Sequence, residues 1–262
     1  MNGYTLAALV FVLVFGGAAF GLLMQAVLPE SFTTGGSRDM AGAVVGLLTL
    51  LLALVLGLLI WTAFGVFSTQ KASIQTLAVS VLKLDEALRD YGPDAADGRS
   101  LLRQTVKKSI GQMWDGERVD GAVTNYVNAL SSAEELQTYL GKLEATTDAQ
   151  RTAKANAVQS TNAIGQTRLQ MALALTDPIS YSLIAIVLAW AVILFFGYGL
   201  LAKGTFMAYA TAAVGALAIA SAIYSIDDLS NPYSGLFVVS PAPIVNVLGA
   251  VDAAAAAAGG HR

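Results

Sequence analysis

One uncharged stretch, residues 40–67, constrains this chain more than any other feature. It exceeds the ~20 apolar residues that cross a ~30 Å hydrocarbon core, so it predicts a transmembrane helix. No proline follows it until Gly92-Pro93, and apolar residues recur at spacings of three and four: Ile74, Leu77, Val81, Leu84, Leu88 and Tyr91. This heptad pattern indicates a helix that packs against a partner. We therefore expect one helix from Met40 to Tyr91 that continues from the membrane into water.

Three further apolar segments predict additional spans, at residues 4–28, 179–202 and 205–226. Thr176-Asp177-Pro178 offers a capping acid and a proline suited to the start of the third of them. The chain is 55% hydrophobic and only 13% charged, whereas soluble proteins average about 25% charged residues. The expected class is an all-α integral membrane protein with four transmembrane helices.

The distribution of positive charge predicts the orientation of these spans. Of the 15 Lys and Arg residues, all but Arg38, Lys203 and Arg262 lie between the second and third spans or at their edges. The positive-inside rule then places this region and both termini in the cytoplasm. We therefore expect a multi-pass protein of the cell membrane. We divide the chain into spans one and two (1–68), a cytoplasmic helical region that extends spans two and three (69–176), spans three and four (177–228) and a C-terminal segment (229–262).

Two helices are predicted in the cytoplasmic region. Residues 94–114 form an amphipathic pattern with Leu102, Val106, Ile110 and Met113 on one side. Ser132-Ala-Glu-Glu135 is typical of a capping box. Because no proline interrupts the residues that follow it, we expect a single long helix from there to Leu175.

The residue types that are missing exclude several functions. Cysteine is absent, the single histidine is His261, and the net charge is −3. These facts argue against disulfides, thiolate nucleophiles, Cys/His zinc sites and histidine acid–base catalysis. The sequence also lacks the common catalytic motifs and a clustered basic excess for nucleic acid. We therefore expect that the protein is not an enzyme and that it binds no cofactor, metal or nucleic acid.

Four stretches resemble the bestrophin-like membrane proteins of bacteria. They are GLLTLLLALVLGLLI (46–60), LKLDEALRDYGPDAADGRSLLR (82–103), GQTRLQ (165–170) and DDLSNPYSGLFVVSPAPI (227–244). The resemblance covers about residues 28–250. It implies four spans in contact with membrane lipid, a helical cytoplasmic part and a ring-shaped homo-oligomer with the second span near its axis. The leading hypothesis is a channel-like protein that passes anions; the alternative is a non-conducting scaffold or sensor whose cytoplasmic helices recruit a partner.

The candidate pore residues are small side chains on the second span. Gly42, Gly46, Thr49, Ala53 and Gly57 recur at spacings of three and four, which fits either close helix packing or a narrow path for ions. Trp61 and Phe64 follow at the expected cytoplasmic end, with Thr62 and Phe67 beside them. They fit either an interfacial aromatic belt or a constriction that gates by dewetting.

Charged residues supply two further candidates. Arg99, Arg103 and Lys107 recur every four residues, with Lys108 beside them, and predict a basic helix face. Such a face is either simply solvated or attracts anions or anionic lipid. Asp227 and Asp228 end the fourth span, where they form either a structural turn or, with Asn231, a cation site.

Overall fold

The computed structural model describes residues 3–27, 35–114, 134–175 and 181–259, and within these ranges it contains helices and no β-strand. Residues 134–142 are helical, and Pro93–Ala95 form a short 3₁₀ turn. The principal helices are α1 Gly3–Val27, α2 Gly36–Tyr91, α3 Ala96–Trp114, α4 Asp148–Ala174, α5 Tyr181–Leu201, α6 Phe206–Leu229 and α7 Ala242–Gly259.

Four of the described helices, α1, α2, α5 and α6, are long and apolar enough to cross a membrane. They coincide with the four predicted spans. The Thr176-Asp177-Pro178 start signal for the third span lies outside the described residues. Helix α6, the fourth predicted span, continues to Leu229, so Asp227 and Asp228 belong to its last turn.

Helix α2 confirms the expected continuous element. It runs for 56 residues from Gly36 to Tyr91, which is about 84 Å at ~1.5 Å per residue. Gly92 follows the helix directly with a φ of 111°, in the left-handed region, and Pro93 begins the next turn. Few residues other than glycine adopt that backbone conformation, so the Gly-Pro pair stops the helix here.

The structure divides into two compact units, and the boundary falls within α2. Unit 1 comprises Met1–Gly65 and Pro178–Ser230, and therefore holds α1, the first part of α2, α5 and α6. In it α1 packs against α5 and α6. The buried face of α1 carries Val10, Val14, Ala18 and Leu22, one residue per turn.

Unit 2 comprises Val66–Asp177 and Asn231–Arg262 and is built around the second part of α2. All six heptad residues of α2 are buried there, which confirms that they form a packing surface. They belong to one apolar cluster with residues from α3, the 134–142 segment, α4 and the C-terminal segment, namely Leu102, Val106, Leu136, Leu140, Ala157, Ile164, Val239 and Ile244.

The prediction of one long helix up to Leu175 is wrong. The helix at 134–142 stops, residues 143–146 are non-helical, and α4 starts afresh at Asp148. Thr147 caps α4: its side chain accepts a hydrogen bond from the Gln150 backbone N–H, and the Gln150 side chain reaches back to the Thr147 N–H. This reciprocal capping stabilises a new start in mid-sequence. The expected box at Ser132 lies outside the described residues.

Candidate functional site

Most of the small residues predicted on the second span are not covered by the other described helices. Gly46, Ala53 and Gly57 are exposed, and Gly42 is half-buried. A Cβ atom built on Gly42, Gly46 or Gly57 would meet nothing within 4 Å. We call these residues the small-residue stripe: Gly42, Gly46, Thr49, Ala53 and Gly57. Among the described residues of a single chain, the stripe is therefore not a surface of close helix packing.

A different face of α2 is buried within unit 1. Val45, Leu52, Leu56, Leu59 and Ala63 are buried, at spacings of 7, 4, 3 and 4. A Cβ on Gly197 of α5 would lie 2.6 Å from Val45 Cγ2, so α5 approaches this face closely. Since successive helical residues are about 100° apart, Gly46 lies roughly a quarter-turn away from Val45. The small-residue stripe thus borders the packed face.

Thr49 connects the stripe to α5. Its Oγ1 lies 2.8 Å from the Val45 carbonyl oxygen and 2.8 Å from the Tyr198 Oη. Because the threonine proton is donated to the carbonyl, Tyr198 is the donor in the second hydrogen bond. This hydrogen bond links α2 to α5.

Close backbone packing occurs at glycines that the sequence analysis did not single out. A Cβ on Gly21 of α1 would collide with the Phe196 carbonyl oxygen, and one on Gly199 would collide with the Ala18 carbonyl oxygen. Gly17 is also crowded, since a Cβ added there would lie 2.9 Å from the Val192 carbonyl oxygen. The Gly17-x-x-x-Gly21 spacing, typical of membrane helix pairs, was the signal that could have identified this contact.

The two aromatic candidates lie on exposed parts of α2. Trp61 is 73% exposed and Phe64 is 49% exposed. Gly57, Trp61 and Phe64 recur at spacings of four and three, so both rings continue the line of the small-residue stripe. Their exposure is compatible with a lipid-facing belt and with a constriction built from several subunits.

The predicted basic face divides into two parts. Arg99 forms a bidentate ion pair with Asp85 of α2, at 2.7 Å and 3.0 Å, so its charge is neutralised. Arg103 and Lys107 lie 3.9 Å and 3.7 Å from Asp252 of α7, and Lys108 is exposed. The basic surface of α3 therefore consists of Arg103, Lys107 and Lys108 beside one carboxylate.

Asp227 and Asp228 are both buried, and both interact with other residues. No group of three or more His, Cys, Asp or Glu side chains that could hold a metal occurs among the described residues. Both side chains are therefore part of the buried interior of unit 1, at the last turn of α6.

A polar connection in unit 2 was missed by the sequence analysis. Gln70 is fully buried, its Nε2 donates to the Met171 carbonyl oxygen at 3.0 Å, and its Oε1 accepts from the Tyr233 hydroxyl at 2.7 Å. Burial raises the pKa of Tyr233. The ring of Trp114 packs edge-on against Tyr233, and its Nε1 donates to the Val239 carbonyl oxygen at 2.8 Å. Gln70 lies four residues before Ile74, in line with the heptad residues. A polar side chain at that position was the signal in the sequence that could have indicated a buried hydrogen bond.

Comparison with known proteins identifies the family. A profile of the bestrophin-like domain matches residues 9–244. A mutant of a bacterial bestrophin homologue from Klebsiella pneumoniae has a similar fold, with a TM-score of 0.61 and 14% identity over 93% of this chain and 97% of that one. No curated protein sequence matches significantly. This chain, with four described helices that are apolar enough to cross a membrane, belongs to the bestrophin-like family.

Proposed function

We propose that this protein is a homo-oligomeric membrane channel in which the small-residue stripe of α2 lines the ion path. The carrying observation is the open space beside Gly42, Gly46 and Gly57: apart from their own stretch of helix, no described atom lies within 4 Å of an added Cβ. A path for ions needs a continuous face without bulky side chains that its own chain leaves uncovered. The membership of the bestrophin-like family supports this assignment.

The transported ions are anions in this proposal. The stripe carries no ionisable side chain, and the hydroxyl groups of Thr49 and Tyr198 lie at its edge. Outside the spans, Arg103, Lys107 and Lys108 carry three positive charges against the one negative charge of Asp252. A surface with net positive charge raises the local concentration of anions.

The orientation follows from the charge distribution. Residues 69–176 hold nearly all Lys and Arg residues, so this region and both termini lie in the cytoplasm. Of the four candidate residues of the basic face, Arg99 has no anion-attracting role because Asp85 neutralises it.

Flux through liposomes tests the proposal. Purified protein is reconstituted, and chloride and potassium fluxes are compared for wild type, Gly46→Leu and Gly57→Leu. Each leucine narrows the path by several ångströms, so chloride flux is expected to fall at least tenfold while the oligomer keeps its size. Gly65→Leu is the matched control: Gly65 also has open space around it, but it lies on the side of α2 that carries the exposed Leu47, Leu54 and Leu58.

The possible results separate the competing functions. Loss of flux in the two stripe variants, with normal flux in the control, supports the channel. Absence of flux in the wild type contradicts it and favours the scaffold hypothesis. Unchanged flux in all variants contradicts the assignment of the path to the stripe.

A further inference from the structure

A small cavity lies inside unit 2, within the apolar cluster formed around α2. Its walls come from α2, α3, α4 and neighbouring segments and are almost entirely apolar, with Val81, Val106, Ile110 and Trp114 among them. The cavity volume is about 40 Å³. One buried water needs roughly 10–15 Å³ by this measure, so the space suits a few non-hydrogen atoms.

One wall carries a hydroxyl group that lacks a partner. Thr161 of α4 is fully buried, and its Oγ1 has no hydrogen bond; no other buried side-chain polar atom in the described ranges is in this position. Helical hydroxyls elsewhere in the chain, such as those of Thr76 and Ser109, donate to the carbonyl four residues earlier. Leaving a buried hydroxyl unpaired costs free energy, which a bound ligand with an acceptor atom would recover.

Arg168 of α4 is also among the residues that line this cavity. Thr161, Ile164 and Arg168 recur at spacings of three and four, so they share one face of α4. None of the described side chains forms an ion pair with Arg168. Burial lowers the pKa of its guanidinium, but an arginine stays charged at neutral pH. Long side chains on a helix lean toward its N-terminus, which is the direction of Thr161.

From this arrangement we propose that the cavity binds a short-chain monocarboxylate, with its carboxylate on the Arg168 guanidinium and the Thr161 hydroxyl, and its alkyl group against the apolar wall. A carboxylate matches the planar fork of a guanidinium through two parallel hydrogen bonds. Water would satisfy the hydroxyl, but it would leave Arg168 without a counter-charge among the described side chains. A divalent anion such as phosphate would bring a larger desolvation cost into the same apolar walls.

The apolar walls and small volume also set the ligand length. Two to four carbons fill the space, and each added methylene within that range gains burial. A chain of eight carbons exceeds the cavity. The site is separate from the small-residue stripe, so it stands even if the protein conducts no ions.

Calorimetric titration of the full-length protein in detergent with sodium acetate, propionate, butyrate and octanoate tests the site. The expected result is saturable binding whose affinity rises from acetate to butyrate and falls for octanoate, with a parallel rise in melting temperature. Sodium chloride at equal ionic strength should produce neither effect. Equal responses to chloride and propionate, or no saturable signal with any acid, overturn the proposal.

Variants then locate the binding. Arg168→Gln should weaken propionate binding at least tenfold, and Thr161→Val by a smaller factor. Arg151→Gln is the matched control, since Arg151 is an exposed cation on the same helix. Undiminished binding in a folded Arg168→Gln protein overturns the assignment. If that variant does not fold, Thr161→Val and the acid series on the wild type decide.

Discussion

Arg99 of α3 holds Asp85 of α2 through two parallel hydrogen bonds, Nε to Oδ1 at 2.7 Å and Nη2 to Oδ2 at 3.0 Å. The two side chains are 12% and 3% exposed, so the pair is largely removed from water. Planar, bidentate geometry of this kind is the strongest form of a protein ion pair. It ties α3 to the middle of the seam that α2 presents in unit 2.

Removing one partner of this pair is expected to destabilise the protein strongly. Asp85→Ala leaves the Arg99 guanidinium buried without a counter-charge, which typically costs ~3–5 kcal/mol. Asp148→Ala is the matched control, because its pair with Arg151 is exposed and contributes ~1 kcal/mol or less. Denaturant unfolding of both variants in detergent measures the difference. If both variants lose a similar amount of unfolding free energy, the buried pair contributes no more to stability than the exposed one.

The stability of unit 2 should depend on alkaline pH through Tyr233. Burial raises the pKa of its hydroxyl above the ordinary value of about 10, so the folded state retains the proton while the unfolded state releases it. The contribution of this group is fully present below pH ~10 and is lost progressively as pH rises further. We compare the free energy of unfolding of wild type and Tyr233→Phe between pH 7 and 11. The wild type should be more stable by ~1–3 kcal/mol at pH 7 because Gln70 loses its donor in the variant.

The pH dependence of that difference is the decisive measurement. The advantage of the wild type over Tyr233→Phe should shrink above pH ~10, since only the wild type has this hydroxyl. A difference that stays constant up to pH 11 would contradict the role assigned to burial of the phenol.

The heptad seam of α2 should not tolerate charge. Leu88 is 1% exposed, and Leu88→Asp places an unpaired carboxylate in the apolar cluster, at a cost of several kcal/mol. Val79→Asp is the control on the same helix, since Val79 is 53% exposed. Gel-filtration profiles and melting curves should show unfolding or dissociation for the first variant and a nearly normal protein for the second. Normal behaviour of Leu88→Asp would mean that the seam contributes little to stability.

Two glycines of α1 should respond differently to the same small substitution. Gly21→Ala forces a methyl group into the Phe196 carbonyl oxygen, and overpacking of this kind costs ~1–3 kcal/mol. Gly16→Ala adds the same methyl group where nothing lies within 4 Å. Melting temperatures in detergent should fall for the first variant only. Equal melting temperatures would contradict the close contact between α1 and α5.

Reporter fusions test the membrane orientation. Four spans place the connections near Gly36 and Lys203 on one side, opposite to the basic region. Reporters inserted after these residues should be active outside the cytoplasm, whereas a reporter at the C-terminus should be active inside. Cytoplasmic activity after both Gly36 and Lys203 would reverse the orientation.

The sequence was sufficient to predict the features that depend on local pattern. The four apolar segments, the continuous α2 and its buried heptad residues all follow from residue spacing, because a helix repeats every 3.6 residues whatever it packs against. The stop at Gly92-Pro93 follows from backbone chemistry alone. These predictions needed no knowledge of the partner segments.

The missed features depend on partners that are distant in sequence. Gln70 is stabilised by Met171 and Tyr233, and no local pattern connects three such residues. Likewise, Arg99 was assigned to a basic face because its carboxylate partner lies on another helix. The Thr147 cap was a local signal that was overlooked, since a threonine in an otherwise helical stretch reads as helix interior unless Gln150 is considered with it.

The pairing of distant segments within unit 1 also orders events during synthesis. Thr49 reaches its hydrogen-bond partner Tyr198 only after another 149 residues have been translated, which takes on the order of ten seconds at ~5–20 residues per second. Gly21 of α1 likewise meets Phe196 only when α5 is inserted. Helices α1 and α2 are therefore synthesised before α5, which they contact in the folded protein. During that interval Gly21 and Thr49 lack the α5 residues that they contact in the folded protein.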